Sequence, residues 1–233
     1  MEFIQKKASE KEVEVYTTDM FDAFFRPHHC GHCTLAIQNP EKYMFLDISQ
    51  INSRYFGEEH WDTLMMIKEM VAPYKTRPLN CTKVYGGGES SWGSGKLEDG
   101  VERFCRDIIG GCASARFHRP KAGNGLNEKA KGAIRAFRKL ETVFSVWEVK
   151  PDNSILTGRE KNEAYCSVLP GKYYAVYFPA GGAVDLKKGK GEYSVKWISI
   201  KSGKWGPEEK SGPGESLSLN TPDEYGWLAV VYR

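Results

Sequence analysis

The densest group of chemistry-bearing residues is the stretch HHCGHC, His28 to Cys33. Imidazole nitrogens and cysteine thiolates are common zinc ligands, and a CGHC tetrad is also the redox motif of disulfide isomerases. A structural zinc site usually draws on two separated ligand pairs, whereas Cys30 and Cys33 have no second CxxC, so His29 and His32 would have to complete it. Redox catalysis requires a thioredoxin-type unit, and nothing around the motif predicts one. A zinc site, a redox pair and a local Cys30–Cys33 disulfide all stay open.

The composition bounds the class of protein. The 233 residues are 40% hydrophobic and 27% charged, which suits one large or two modest folded domains. The net charge of +3 is spread evenly without a basic patch, so we expect no nucleic-acid partner. No apolar run is long enough to span a bilayer, so we expect no membrane partner. The first residues lack the apolar segment of a signal peptide, and the chain as given is expected in the cytoplasm.

The first 150 residues alternate between strand-like and helix-like patterns. Four β-rich runs begin about 30 residues apart, which is the length of one strand with its crossover helix. They are VEVYT (13–17), YMFLDI (43–48), LNCTKVY (79–85) and ASARFH (113–118). Apolar residues at helical spacing fill the gaps at 58–71, 97–110 and 127–147. The pattern predicts an α/β region of four parallel βα units, which is half of a (β/α)8 TIM-type barrel or a small open sheet.

The sequence pattern changes after Pro151, where helical periodicity stops and short predicted strands follow one another closely. The predicted strands are 172–178, 182–186, 192–200, 215–220 and 226–233. Gly, Pro and Asn separate them, as in an all-β domain. We therefore predict two domains: a partial barrel at 1–150, and a small antiparallel β-sandwich at 151–233. The half barrel would leave open sheet edges, which could pair with a missing barrel half or with a second copy.

Several segments in order resemble a known family. DISQIN (47–52), EEHWDTL (58–64), LNCTKVYGG (79–87) and RFCRDIIGGCASARFHRPKAGNGLNEKAKGAIRAFRKLE (103–141) resemble the last units of barrel-fold glycoside hydrolases, some of them apiosidase-like. The segments from YAVYFPAGGAVDL to the end resemble the β-sandwich that follows such barrels, which is catalogued as the collagen-binding domain of a collagenase. The resemblance covers nearly the whole chain and is specific to the architecture, and much less specific to a substrate.

The resemblance implies a carbohydrate substrate, no cofactor, and export of the full-length relatives. It places the beginning of this chain at the helix before the fifth strand of the barrel. In related enzymes the general acid/base carboxylate follows the fourth strand, so the acid/base half is expected outside this chain. The intact enzyme would hydrolyse O-glycosidic bonds of a plant or microbial polysaccharide with two carboxylates.

Barrel enzymes carry their catalytic groups just after the strands. The resemblance implies a nucleophile after the strand at 79–85, and Glu89 in the loop GGGESSWGSG is the nearest acid. Trp92 follows and could stack on a sugar ring. Asp19 lies at the mouth of the predicted strand at 13–17 and is the second catalytic candidate. The alternatives are a solvated loop acid for Glu89 and a helix N-cap for Asp19.

The remaining candidates are substrate-binding groups at neighbouring strand ends. Asp47, Gln50 and Asn52 follow the predicted strand at 43–48, where loop capping is the alternative role. The last strand is followed by a second cluster, which has a structural ion pair with Glu128 or Asp107 as its alternative role. This cluster consists of Arg116, His118 and Arg119. His28 and His32 are also expected to reach substrate from the loop after the first strand.

The leading hypothesis is thus the C-terminal portion of a glycoside hydrolase. The first alternative is a non-catalytic carbohydrate-binding or interaction protein. The second is a metal or redox protein built on His28–Cys33, whose candidate metal ligands are Cys30, Cys33, His29 and His32. The sequence leaves the sugar, the linkage and retention versus inversion open.

Overall fold

The structure, a computed structural model, describes residues 2–21, 31–118 and 125–233, with the side chains of Glu2 and His32 excepted. Its helices are α1 (Glu2–Ser9), α2 (Gly31–Gln38), α3 (Gly57–Val71), α4 (Leu97–Ile109) and α5 (Glu128–Leu140). Two short 3-10 helices cover Ser49–Ser53 and Asn153–Ile155. The strands among the helices are β1 (Leu46–Asp47), β2 (Leu79–Val84) and β3 (Ser114–Phe117).

The first three strands form a parallel sheet in the order β1-β2-β3. Leu46 pairs with Leu79 and Asn80 pairs with Ser114, so strands that follow one another in sequence are also neighbours in space. A parallel bridge from Met20 to Asp47 extends the sheet beyond β1. The predicted strands at 79–85 and 113–118 and the helices at 58–71 and 97–110 are confirmed within a few residues.

The predicted strand at 13–17 is wrong. Residues 13–19 have no regular structure, and Val13 is 56% exposed. The chain meets the sheet only from the end of this stretch onward: Met44 N donates to Thr17 O (2.9 Å), and Phe21 N donates to Asp47 O (2.9 Å). The β-forming residues marked the wrong stretch because strand propensity reflects packing against neighbours, whereas Val13 and Tyr16 are exposed.

Two other predicted boundaries need correction. The strand at 43–48 is reduced to the two residues of β1. The helix at 127–147 ends at Leu140, although the apolar pattern continues. Phe144 leaves the helical path and stacks on Tyr173 with ring centroids 4.8 Å apart. Its apolar character therefore serves a contact with the β-rich region rather than another turn of helix.

The β-rich region consists of two antiparallel sheets. Its strands are β4 (Lys150–Pro151), β5 (Leu156–Thr157), β6 (Tyr165–Leu169), β7 (Tyr173–Phe178), β8 (Ala183–Lys187), β9 (Ser194–Ser199), β10 (Trp205–Lys210), β11 (Ser216–Asn220) and β12 (Trp227–Tyr232). One sheet has the order β10-β9-β12-β7-β6-β4 and the other β11-β8-β5. Leu186 and Leu219 from the smaller sheet share a buried core with Val176, Trp197 and Val231 from the larger one. The five strands predicted here are present, and β4, β5, β6 and β10 were missed.

Helix α4 lies between the parallel sheet and the larger antiparallel sheet. On one side the Phe104 ring stacks on Phe117 of β3, with centroids 4.7 Å apart. On the other side Ser167 of β6 donates its hydroxyl to the carbonyl of Ile109. One hydrophobic core runs from the parallel strands through the helices to β6, β7, β9 and β12. The helices thus serve both sheets at once.

The backbone of helix α5 packs directly against the backbone of the β-rich region at Gly132. A Cβ at Gly132 would lie only 2.2 Å from the carbonyl oxygen of Lys201, so no side chain fits there. Nearby, α3 is tied to the loop before β6: Arg159 forms an ion pair with Glu58, and Asn162 accepts the backbone N–H of Glu58. Both charged side chains of the ion pair are 16% exposed. These contacts fix the helices against the antiparallel sheet.

Within the described residues, no helix combines the length and the apolar surface needed to cross a lipid bilayer.

Candidate functional site

The two faces of the parallel sheet differ in chemistry. Side chains alternate along a strand, so Asn80 and Thr82 of β2 share a face with Ser114 and Arg116 of β3. This polar face also carries Asp47, which pairs with Asn80. The opposite face carries Cys81 and Phe117, which are buried against α4. The carboxyl ends of the three strands meet at one edge, where the loops after β1, β2 and β3 are neighbours.

Asp47 is held firmly on the polar face. Its Oδ1 accepts the N–H of Ser49 (3.0 Å) and the Ser49 hydroxyl, and its Oδ2 accepts the hydroxyl of Thr82 (2.6 Å). The side chain is buried, and these three donors satisfy oxygens that would be costly to bury without partners. This arrangement fixes Asp47 as a stationary acceptor that links β1 to β2.

Glu89 lies exposed in the glycine-rich loop after β2, as predicted. The loop approaches β3 closely, because a Cβ at Gly87 would lie 2.5 Å from Phe117 Cβ. Asn127 fixes the segment before Glu89: its Nδ2 donates to the carbonyls of Gly86 (2.9 Å) and Gly88 (2.6 Å). The loop thus presents Glu89 from a braced backbone.

Asn127 also caps α5, since its Oδ1 accepts the N–H of Ala130 (2.8 Å). Its second role, as the brace of the glycine loop, was not predicted. An Asn in the sequence NGLNE has an amide that can donate and accept at once, but only the fold shows which loop receives the donors.

The far end of the same loop is fixed by Arg103 of α4. Its Nη1 donates to Ser94 O (2.6 Å) and its Nε to Tyr55 O (2.9 Å). Its guanidinium lies 4.1 Å from the ring centroid of Phe56, and burial lowers the pKa of Arg103 to about 10. The loop from Tyr85 to Gly95 is therefore fastened at both ends.

Two aromatic groups lie at this edge. Trp92 is 58% exposed and has a left-handed φ of 53°, three residues after Glu89. The half-buried ring of His118 meets Tyr85 edge-on, with centroids 5.5 Å apart. The loops after β2 and β3 are therefore in contact, and both predicted candidates lie at the same edge of the sheet.

The other predicted residues take different roles. Asp19 is exposed, and its Oδ1 accepts the N–H of Met20 (2.8 Å). Gln50 is half-buried, with its Nε2 3.1 Å from Met20 Sδ. Arg116 is exposed and donates from Nε to the carbonyl of Thr82 (3.3 Å). Arg116 forms no ion pair with Glu128 or Asp107: Glu128 pairs with Lys131 and Arg135, and Asp107 lies beside His60. For Arg119, which lies outside the described residues, the alternative stays a prediction.

Asn52 as a substrate-binding residue is also wrong. It is fully buried, and its Oδ1 lies 2.9 Å from His60 Nε2 of α3. The amide was placed near the edge by its position in the sequence, but the 3-10 helix at Ser49–Ser53 turns it toward α3 and away from solvent. A group with no exposed surface has no contact to offer a sugar.

The HHCGHC stretch is described only in part. His28, His29 and Cys30 lie outside the described residues, as does Arg119, and of His32 only the backbone is described. Gly31 begins α2, and Cys33 is buried and disulfide-bonded. A disulfide sulfur is not the thiolate that zinc requires, so Cys33 is not a zinc ligand in this state.

Comparison with solved structures bears on the fold. An alpha-amylase from H. orenii matches with a TM-score of 0.59 and 9% identity, covering 100% of this chain and 56% of that one. A family 5 glycoside hydrolase from Bacteroides vulgatus matches with a TM-score of 0.58 and 14% identity, covering 74% of this chain and 45% of that one. A GH30 endoxylanase from Clostridium papyrosolvens matches with a TM-score of 0.54 and 9% identity, covering 100% and 59%. The fold is glycoside hydrolase-like.

The glycoside hydrolase-like fold is what these similarities establish, because identities this low say nothing of substrate. No family model matches the sequence, and no curated protein matches it. The chain spans about half the length of the solved structures that it matches.

Proposed function

We propose that this chain is the C-terminal portion of a barrel-fold, apiosidase-like glycoside hydrolase. Residues 1–150 would supply the last part of the barrel and residues 151–233 a β-sandwich domain. The intact enzyme would hydrolyse O-glycosidic bonds of a plant or microbial polysaccharide. The observation that carries the proposal is Glu89, an exposed carboxylate on a loop braced by Asn127 and Arg103 after a parallel strand.

The proposed chemistry assigns Glu89 as the nucleophile. Glycoside hydrolysis commonly uses two carboxyl groups, one attacking or activating water and one protonating the leaving oxygen. A braced backbone favours this role, because the carboxylate must be held in a productive position before substrate arrives. Asp47, with three donors on its oxygens, suits a structural or orienting role and not that of the acid.

The acid/base carboxylate is proposed to come from a part of the barrel outside this chain. Around Glu89, Trp92 would provide a ring for stacking on a sugar, while Arg116 and His118 would bind its hydroxyls. Asp19 and Gln50 are proposed as more distant contributors to the same edge. The open side of the parallel sheet would pair with the rest of the barrel, which would enclose the polar face carrying Asn80 and Thr82.

The test compares hydrolysis of a polysaccharide panel by the 233-residue chain and by a protein extended upstream to the length of the matched hydrolases. We expect no robust turnover by the chain alone and clear turnover by the extended protein. Glu89→Gln should lower kcat/KM of the extended protein by about 10³-fold or more, because a reacting carboxylate is lost. Glu192→Gln, at an exposed site in the β-rich region, is the matched control and should leave turnover unchanged.

Two outcomes would contradict this assignment. Turnover by the 233-residue chain, abolished by Glu89→Gln, would show that the chain needs no second barrel portion. Glycan binding without hydrolysis by the extended protein would replace the enzyme with the alternative, a non-catalytic carbohydrate-binding protein.

A further inference from the structure

A second group of reactive side chains lies behind the parallel sheet, on the face opposite to Asp47. Cys81 of β2, Asp107 of α4 and Cys112 before β3 bring one potential ligand atom each within 4.8 Å of one another. All three residues are buried, and the Sγ atoms of the two cysteines are 3.8 Å apart. The cluster is separated from Glu89, which is exposed at the strand ends.

Among the described residues, the carboxylate in this cluster has no donor at full hydrogen-bond geometry, although the polar side chains of Cys81 and Asn52 face it. Asp107 has no exposed surface, and among the described residues neither of its oxygens meets hydrogen-bond geometry with a donor. His60 lies beside it, with Nε2 3.5 Å from Asp107 Oδ1 and an unpartnered Nδ1. A buried polar group without a partner is costly, so native proteins rarely keep one without a reason.

We propose that Cys81, Cys112 and Asp107 bind a zinc ion. Zinc–thiolate bonds are about 2.3 Å long, so two thiolates in tetrahedral coordination lie about 3.8 Å apart. The Cys81 and Cys112 Sγ atoms already have that separation. The carboxylate of Asp107 is the third ligand, and its coordination satisfies an oxygen that the fold otherwise leaves without a donor.

The fourth position falls to a solvent molecule. His60 Nε2 donates a hydrogen bond to Asn52 Oδ1 (2.9 Å), and the same nitrogen faces Asp107 Oδ1. His60 is therefore placed in the outer shell, where a ring N–H orients a ligating carboxylate. Asn52, which is buried, would hold His60 in position beside this metal site.

The charge balance of the site is favourable. Metal binding displaces the proton of each thiol, and any proton on Asp107, into solvent. Two thiolates, one carboxylate and Zn²⁺ sum to one negative charge. The guanidinium groups of Arg103 and Arg106 act on Asp107 from the same helix and offset that charge.

A disulfide between Cys81 and Cys112 is the competing arrangement. It would require the sulfur atoms to close from 3.8 Å to about 2.05 Å and an oxidant to accept two electrons. It would also remove the Cys81 thiol proton, which is a potential donor to Asp107. Cys81 and Cys112 are both free in this structure, and a cation would bind the thiolates and the carboxylate together.

The experiment measures zinc in the 233-residue protein after purification under reducing conditions and removal of loosely bound metal. We expect about one zinc per chain, and a thiolate-to-cobalt charge-transfer band when Co²⁺ replaces it. Asp107→Asn keeps the shape of the side chain and should weaken zinc binding by about 10-fold or more, as measured with a competing chelator. Cys105→Ser removes a buried free thiol outside the cluster and should keep the metal.

A readout on the unmodified chain avoids variants that fail to fold. Zinc should protect Cys81 and Cys112 from alkylation under partial denaturation, compared with the chelator-treated protein, while Cys105 and Cys166 gain no such protection. Absence of zinc and of cobalt charge transfer would overturn the proposal, as would a native Cys81–Cys112 disulfide. Zinc that survives the Cys81→Ser/Cys112→Ser double variant but is lost in Cys33→Ser would assign the metal to the HHCGHC stretch instead.

Discussion

Asn127 Nδ2 lies 2.6 Å from the carbonyl oxygen of Gly88, the residue directly before Glu89. The same side chain caps α5 through Oδ1. The Asn127 amide therefore links the start of α5 to the position of the candidate nucleophile Glu89. Mutation can separate these two roles of the side chain.

Asn127→Ser should keep the helix cap and lose the loop brace, whereas Asn127→Ala should lose both. Loss of the cap lowers the free energy of unfolding by about 1 kcal/mol, so we expect the Ala variant to be the less stable of the two in urea. Both variants should become more sensitive to proteolysis between Tyr85 and Gly95. Equal stability of the two variants would show that the cap contributes nothing.

Substitution of Trp92 tests the proposed sugar contact with little expected effect on folding. Trp92→Asn places a residue that tolerates the left-handed conformation at an exposed site, so the free energy of unfolding should change by less than about 1 kcal/mol. Sugar affinity of the extended protein, measured as KM or by titration, should fall several-fold. Trp147→Asn is the matched control, because Trp147 is 65% exposed at another surface. A fall of similar size in both variants would remove Trp92 from the site.

Asp107 should give the stability a distinctive pH dependence when metal is chelated. Burial raises the pKa of Asp107 from 3.8 to about 7. The folded state therefore holds a proton that the unfolded state releases between about pH 4 and pH 7, and the free energy of unfolding falls as the pH rises through that window. Asp107→Asn should lack this fall.

Urea titrations of both proteins from pH 4 to pH 8 measure the difference. Burial lowers the pKa of His60 well below 6.5, and this effect has the opposite sign, since it destabilises the fold as the pH falls. Comparison of the wild-type protein with Asp107→Asn isolates the contribution of the carboxyl group. Parallel pH profiles would mean that Asp107 is ionised in the folded protein throughout.

The ion pair between Glu58 and Arg159 should matter more than pairs at the surface. Both side chains are 16% exposed, and Arg159 also lies 5.3 Å from the Tyr165 ring centroid. We expect Arg159→Ala to lower the free energy of unfolding by about 1–3 kcal/mol, between the values for exposed and buried pairs. Lys190→Ala breaks a pair whose side chains are 83% and 68% exposed and should cost less than about 0.5 kcal/mol. Similar losses in the two variants would contradict this reasoning.

Much of the architecture follows from the sequence. The βα period predicted β2, β3, α3 and α4, because periodicity reports which face of an element is buried. It failed at residues 13–17, where the β-forming side chains of Val13 and Tyr16 are exposed, and beyond Leu140, where Phe144 is apolar for a tertiary contact.

The candidate sites divide in the same way. Glu89 could be found from its place after a strand, since that place depends only on local order. Asn52 was misplaced because the direction of a side chain on a short 3-10 helix cannot be read from spacing. Cys81 and Cys112 are 31 positions apart, and they meet only because the chain folds so that the end of α4 returns to β2, which no local pattern encodes.

Helix α4 packs against both sheets, which limits how the β-rich region can be exchanged. Because Phe104 is packed on β3 while Ile109 accepts a bond from Ser167 of β6, the helix has no face that belongs to one sheet alone. The β-rich region is therefore not a detachable accessory of the helices. Replacing the β-rich region by an unrelated domain would expose the helix surfaces that now pack against it. Exchange of this region between homologues would succeed only if the matching helix surface were exchanged as well.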